Sequence, residues 1–116
     1  MSCPRDATLK TVAELMAQER VHCVVVTDGA AAPTAVWGIV SDLDLVAAAS
    51  VRRLDEQSAG VTAATPAITI EPHDSLQRAS YLMITHGVSH LIVVEPSTHR
   101  PIGIVSTLDL ATVLAG

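Results

Sequence analysis

The sequence predicts an α+β fold assembled from two copies of one unit, and three observations carry that prediction. Gly38-Ile39-Val40-Ser41-Asp42-Leu43-Asp44-Leu45 returns as Gly103-Ile104-Val105-Ser106-Thr107-Leu108-Asp109-Leu110, with seven of eight positions identical. An offset of 67 places Leu9 on Leu76, Leu15-Met16 on Leu82-Met83, and Val24-Val25-Val26 on Leu91-Ile92-Val93, and the offset falls to 65 after the following loop. Within each copy the hydrophobic period also changes in the same order, from helical spacing to strand and back to helix.

Each copy opens with a helix. Leu9, Val12, Ala13 and Met16 share one face, as do Leu76, Ala79, Leu82 and Met83. Thr8 and Ser75 are placed to accept from the first free N–H groups, and Gly87 to end the second copy's helix at positive φ. Two strands follow in each copy: Cys23 to Thr27 with Ala35 to Val40, and Leu91 to Glu95 with Pro101 to Val105. Turn-rich loops at 28–34 and 96–100 join them. Closing helices are expected over 42–49 and 108–115. Residues 53–64, with Asp55-Glu56-Gln57-Ser58 and Gly60, read as a polar surface connection. Pro66 biases Thr65 away from helix and Ile68 alternates with Ile70, so 65–70 is expected to extend and to give the second copy a leading strand.

A chain of 116 residues suits one domain able to bury roughly 65% of its unfolded surface. Trp37 and Tyr81 are the only aromatic residues, so no platform exists for stacking bases. Seven basic residues within a net charge of −5 oppose the backbone of a nucleic acid. Cys3 and Cys23 occupy no metal-like array, and the pattern suits a reducing cytoplasm. The first residues carry no apolar signal region, and no run approaches the ~20 apolar residues of a membrane span. The expectation is a cytoplasmic protein without nucleic-acid or membrane partners.

These features together resemble the CBS-domain family, and specifically a tandem pair of CBS motifs, the Bateman module. The likeness rests on Asp-Ala-Thr-Leu at 6–9, Leu-Met at 15–16 and 82–83, Thr-Pro at 65–66, the valine-rich strands, and Gly-Ile-Val-Ser-x-Leu-Asp at 38–44 and 103–109. It covers nearly the whole chain as one module over 1–116, with motif one at about 1–52, a connection at about 53–64 and motif two at about 65–116. The resemblance implies two β-α-β-β-α repeats related by a pseudo-twofold axis, with clefts that commonly take adenosine-containing ligands. By the same pattern the first motif, with only Met1 and Ser2 ahead of Cys3, is expected to lack its leading strand and its Thr-Pro segment.

The candidate site residues follow from the repeated corner. In Ser41-x-x-Asp44 and Ser106-x-x-Asp109 the serine falls at a helix N-cap and the aspartate one turn inside. A carboxylate suits two vicinal ribose hydroxyls, and the serine with the free N–H groups suits phosphate oxygens. The alternative reading is a plain helix cap. Recurrence of the unit, and a capping-box preference for the longer Glu or Gln where Asp stands, favour a site.

Thr65, Ala67 and Ile68 with Val88, Ile104 and Leu108 could line an apolar adenine slot or could be ordinary core. Family members often place a basic residue just before the valine strand, and here Cys23 and His90 stand there, with His22 one residue earlier. Phosphate-rich ligands such as ATP are therefore disfavoured. The pocket containing Ser106 and Asp109 ranks above the one containing Ser41 and Asp44. No nucleophile–base pair or metal spacing is recognisable, so neither an enzyme nor a metal site is expected.

The functional expectation is a regulatory module sensing AMP, ADP, ATP, S-adenosylmethionine or NAD, with no cofactor required, forming a homodimer and acting on an unidentified regulated protein. The alternative is a degenerate pair whose alanine-rich helix faces, 46–49 and 111–115, serve dimerisation or scaffolding without ligand.

Overall fold

The structure, a computed structural model, describes residues 1–29 and 35–116. The backbone packs as two compact units, Met1–Pro66 and Ala67–Gly116. In the first, the elements run β1 (Ser2–Pro4), α1 (Leu9–Glu19), β2 (Cys23–Thr27), β3 (Val36–Ser41), α2 (Asp42–Ala49), a 3₁₀ turn (Leu54–Glu56) and α3 (Ala59–Thr62). In the second they run β4 (Thr69–Ile70), α4 (Leu76–His86), β5 (His90–Val94), β6 (Pro101–Ser106) and α5 (Thr107–Ala115). Each unit is therefore a β-α-β-β-α repeat, whose helix–strand–strand–helix part is what the duplicated sequence predicts.

Each unit holds one three-stranded sheet, ordered β1-β2-β3 or β4-β5-β6. The leading strand runs parallel to the central one, and the last strand is antiparallel to it. All five residues of β2 are buried, which is why this strand reads as a continuous valine run with no alternation. Leu9, Val12, Val24, Val26 and Val40 form the fully enclosed part of the first core. Leu82, Met83, Leu91 and Leu110 anchor the second.

One expectation about the fold is overturned. The first motif does have a leading strand, in which Cys3 lies opposite Val26 and Ser2 opposite Val25. Val25 N donates to Met1 O at 3.1 Å, Arg5 N to Thr27 O at 3.0 Å, and Thr27 Oγ1 to Cys3 O at 3.3 Å. Three residues ending in proline show no periodicity, and proline is tolerated because this is an edge strand.

The connection is also not the polar surface segment that its composition suggests. Ala59 and Ala63 are buried, Leu54 packs against the first core, and Ala64 makes an antiparallel bridge with Ile39. Its charged residues face water while every few positions an apolar one turns inward. The extended segment expected over 65–70 shortens to a strand at Thr69–Ile70.

The caps fall where the residue types place them. Thr8 Oγ1 accepts from Thr11 N at 3.2 Å, and Ser75 Oγ from Arg78 N at 3.0 Å. Gly87 closes α4 at φ +62°, whereas the same position in the first unit is Arg20 at φ +54°. Part of the loop expected at 28–34, namely 30–34, lies outside the described residues.

Candidate functional site

The two repeated corners have nearly the same geometry. Ser41 ends β3 with φ −98° and ψ 167°, and Ser106 ends β6 with φ −108° and ψ 166°. That extended conformation turns the serine side chain back over the first helical turn. Ser41 Oγ accepts from Asp44 N at 3.2 Å while Asp44 Oδ2 accepts from Ser41 N at 2.8 Å. At the second corner Ser106 Oγ accepts from Asp109 N at 3.1 Å, and Asp109 Oδ2 from Ser106 N at 2.7 Å.

Both corners are therefore complete capping boxes, closed by aspartate despite the usual preference for a longer side chain. The preference for Glu or Gln therefore does not count against the cap reading at either corner. Capping does not exhaust the carboxylate, however. Each aspartate commits Oδ2, and Oδ1 of both Asp44 and Asp109 accepts no hydrogen bond among the described residues. Asp44 is half-buried and Asp109 exposed. The cap fixes each side chain's rotamer and leaves one charged acceptor for another hydroxyl or N–H group.

Of the remaining candidates in the second unit, His90 is brought to the corner. It pairs across the sheet with Ser106, and its Nδ1 lies 3.0 Å from Ser89 Oγ. Ile104 is half-buried opposite Ile92. Ile68 and Val88 pack against the second core, and Ala67 is half-buried beside Ile68. Leu108 is 73% exposed on α5, so in this unit it walls no slot. Thr65 belongs to the first unit, where its methyl group approaches the backbone of Gly38.

In the first unit His22 is exposed, and its Nδ1 lies 3.2 Å from Asp42 Oδ2. Asp42 N also donates to His22 O at 2.8 Å, which ties the loop before β2 to the start of α2. This pairing went unnoticed in the sequence, although the Asp at 42 is the single difference between the two repeated octapeptides.

Two of the hollows among the described residues lie elsewhere. One of ≈ 340 Å³ in the first unit is lined by Arg5, Asp6, Trp37, Ser58, Gly60 and Val61. There the Arg5 guanidinium sits 4.2 Å from the Trp37 ring centre, and Trp37 Nε1 donates to Gly60 O at 2.8 Å. The lone tryptophan and the glycine of the connection were the signals that could have pointed to it. The other, of ≈ 200 Å³, lies in the second unit beside Leu76 and Val105. Neither includes a Ser-x-x-Asp pair.

Among the described residues no three His, Cys, Asp or Glu side chains are grouped to hold a metal ion. No described helix is long and apolar enough to cross a membrane.

The family model described as CBS domain matches residues 1–51 and again 61–116. No curated protein matches the chain. Among solved structures, the chain is similar to the CBS domain protein PAE2072 from Pyrobaculum aerophilum complexed with AMP. They share 27% identity over 100% of this chain and 92% of that one, with a TM-score of 0.79. The CBS-domain containing protein ATU1752 from Agrobacterium tumefaciens gives 23% identity over 98% and 88%, with a TM-score of 0.81. The CBS domain pair of protein MJ0100, in complex with 5-methylthioadenosine and S-adenosyl-L-methionine, gives 16% identity over 100% and 88%, with a TM-score of 0.83.

Proposed function

Because the chain belongs to the CBS domain family, with one match in each half, we propose that residues 1–116 act as one CBS-pair regulatory module that binds an adenosine-containing ligand at the Ser106/Asp109 corner. The observation that carries this reading is the uncommitted Oδ1 of Asp109, held in place by a capping box that uses only the other oxygen. An acceptor fixed in this way can take a ribose hydroxyl without losing its own local bonds. Each such charge-assisted bond contributes roughly 1.5–3 kcal/mol where water is excluded. His90, across the sheet from Ser106, is the basic group nearest in register. The AMP complex of the Pyrobaculum aerophilum relative supports adenosine as the ligand class. The Ser41/Asp44 corner is the second candidate, with His22 turned to Asp42.

The role is binding that shifts a regulated protein, and it requires the ligand to favour one of two arrangements. Titration calorimetry with AMP, ADP, ATP, S-adenosylmethionine and NAD is expected to give saturable heat for at least one, weakened about tenfold or more by Asp109→Ala. Absence of heat with all five overturns the proposal.

Self-association is the second reading, favoured by Leu108, Val113 and Leu114, each more than half exposed on α5. Light scattering that finds a monomer at every concentration removes it.

A further inference from the structure

The hollow of the second unit has a filled twin in the first. It opens at the start of α4, where Leu76, Val93 and Val105 are only half-buried. Their counterparts in the repeat, Leu9, Val26 and Val40, are completely enclosed. Two differences account for this. Ala79 stands where the first unit has Val12, which widens the space. The chain after α2 also folds back over the first unit, packing Leu54 on the core and burying Ala59 fully.

That covering segment is held by main-chain bonds. Leu9 N donates to Gln57 O at 2.9 Å, Ala59 N to Ala7 O at 2.8 Å, and Gly60 N to Arg5 O at 2.8 Å. The matching groups of the second unit are Leu76 N–H, Asp74 C=O and Pro72 C=O, and none has a main-chain partner among the described residues. The second unit thus presents an apolar hollow of ≈ 200 Å³ together with the same ladder of one donor and two acceptors, unpaired.

Its rim differs in charge. Glu71 and Asp74 line it where the first unit has Pro4 and Ala7. Asp74 Oδ2 accepts from Glu71 N at 2.8 Å, and Glu71 Oε1 lies 3.3 Å from His73 Nε2. Arg78, exposed one turn into α4, is the nearby cation on that helix.

We propose that this hollow is a docking site for a peptide segment of a partner protein, in which arginine precedes a leucine and small residues follow five and six positions later. Both parts of that description come from the molecule. The first unit seats Leu54, Ala59 and Gly60 in this spacing on the equivalent surface, and Arg52-Arg53 leads into Leu54. The rim of the second unit, with Glu71 and Asp74, complements such arginines better than that of the first, where Pro4 and Ala7 stand at those positions and the charges of Arg5 and Asp6 oppose each other. The leucine fills the space beside Ala79, and the main chain pairs with Asp74 and Leu76.

The probe is a synthetic peptide of residues 50–61 with blocked ends, carrying Asp55→Asn and Glu56→Gln so that Arg52 and Arg53 are its only charges. Added to the whole chain, it is expected to give saturating amide shifts at Asp74, Leu76, Val93 and Val105 within about 2 mM, the range expected when a tethered contact is made without its tether. Ala79→Phe, which fills the hollow, should abolish the shifts. Glu71→Gln with Asp74→Asn should weaken them at least threefold, and this rim variant keeps the test valid if the larger substitution fails to fold. No shifts, or shifts confined to the first unit, overturn the proposal. Concentration-dependent shifts at the same residues without peptide assign the hollow to a second copy and also overturn it.

Discussion

The two units carry one sequence pattern and one topology, yet they finish their cores differently. In the first, the segment after α2 covers the mouth of the core and bridges β3 through Ala64, so that Leu9, Val12, Val26 and Val40 lose all contact with water. In the second, no described segment does the same, and Leu76, Val93 and Val105 stay half-exposed around a hollow. The corners that carry Ser-x-x-Asp are nonetheless alike to within a few tenths of an ångström in their hydrogen bonds. Duplication has preserved the corner while the surrounding closure diverged. Local bonds suffice to fix a capping box, whereas core closure depends on residues far along the chain.

The sharpest test compares equivalent leucines. Leu9→Ala removes a completely enclosed side chain and should cost about 3 kcal/mol, because the covered core cannot collapse onto the space left behind. Leu76→Ala, at the edge of an existing hollow, should cost about 1–1.5 kcal/mol, since water already reaches that side chain. Denaturant midpoints with unchanged slopes give both numbers. Equal losses would break the contrast between a closed and an open core.

What the sequence revealed follows the same division. Helices α1 and α4, the buried strands and the repeated corners were legible because their signals are local: a helical face, a valine run, and serine three residues ahead of aspartate. Strand β1 was not, since Ser2–Pro4 is too short for any period and exists through its parallel pairing with β2. The segment 53–64 was misjudged because Asp55, Glu56 and Gln57 dominate its composition, while its structural role rests on Leu54, Ala59 and Ala63. At the candidate site, the Ser and Asp positions were readable, whereas His90, expected just ahead of the strand, is the first residue of β5 and pairs with Ser106. The part each aspartate oxygen plays depends on rotamers that residue identities do not encode.

Glycines give an intermediate effect and test the same contrast at a second place. A Cβ at Gly38 would fall 2.5 Å from Ala64 O and 2.9 Å from Thr65 Cγ2, so Gly38→Ala must push the bridging segment away from β3. The cost should be about 1–3 kcal/mol, the range for overpacking a tight contact. At Gly103 the nearest atom to such a Cβ is Val93 Cβ at 3.9 Å, an ordinary contact. Gly103→Ala should then be neutral or stabilising by up to about 0.5–1 kcal/mol, because alanine loses less backbone freedom on entering a strand. Thermal or denaturant unfolding of the pair decides it. A Gly103→Ala variant as damaged as Gly38→Ala would mean that some chain closes on β6 as Ala64 closes on β3.

The smallest effect concerns Cys3, whose counterpart in the second unit is Ile70. Burial pushes the Cys3 thiol above its ordinary value of 9.0, and the negative charge of Asp6 raises it further. The folded chain thus holds this proton more tightly than the unfolded chain does. Below the ordinary thiol range both states are protonated and the contribution to stability is fully present. As pH rises past that range the unfolded chain gives up its proton first, and the stabilisation is lost by the point at which the folded thiol ionises. Cys3→Val removes the titrating group while keeping a compact apolar side chain beside Val26. Every other alkaline titration is common to both proteins, so the difference between their denaturant midpoints isolates this thiol. Between about pH 8 and about pH 10 the parent should lose more stability than Cys3→Val. Parallel declines would show that the thiol ionises as readily in the fold as outside it, and that β1 leaves Cys3 as accessible to water as an unpaired strand would.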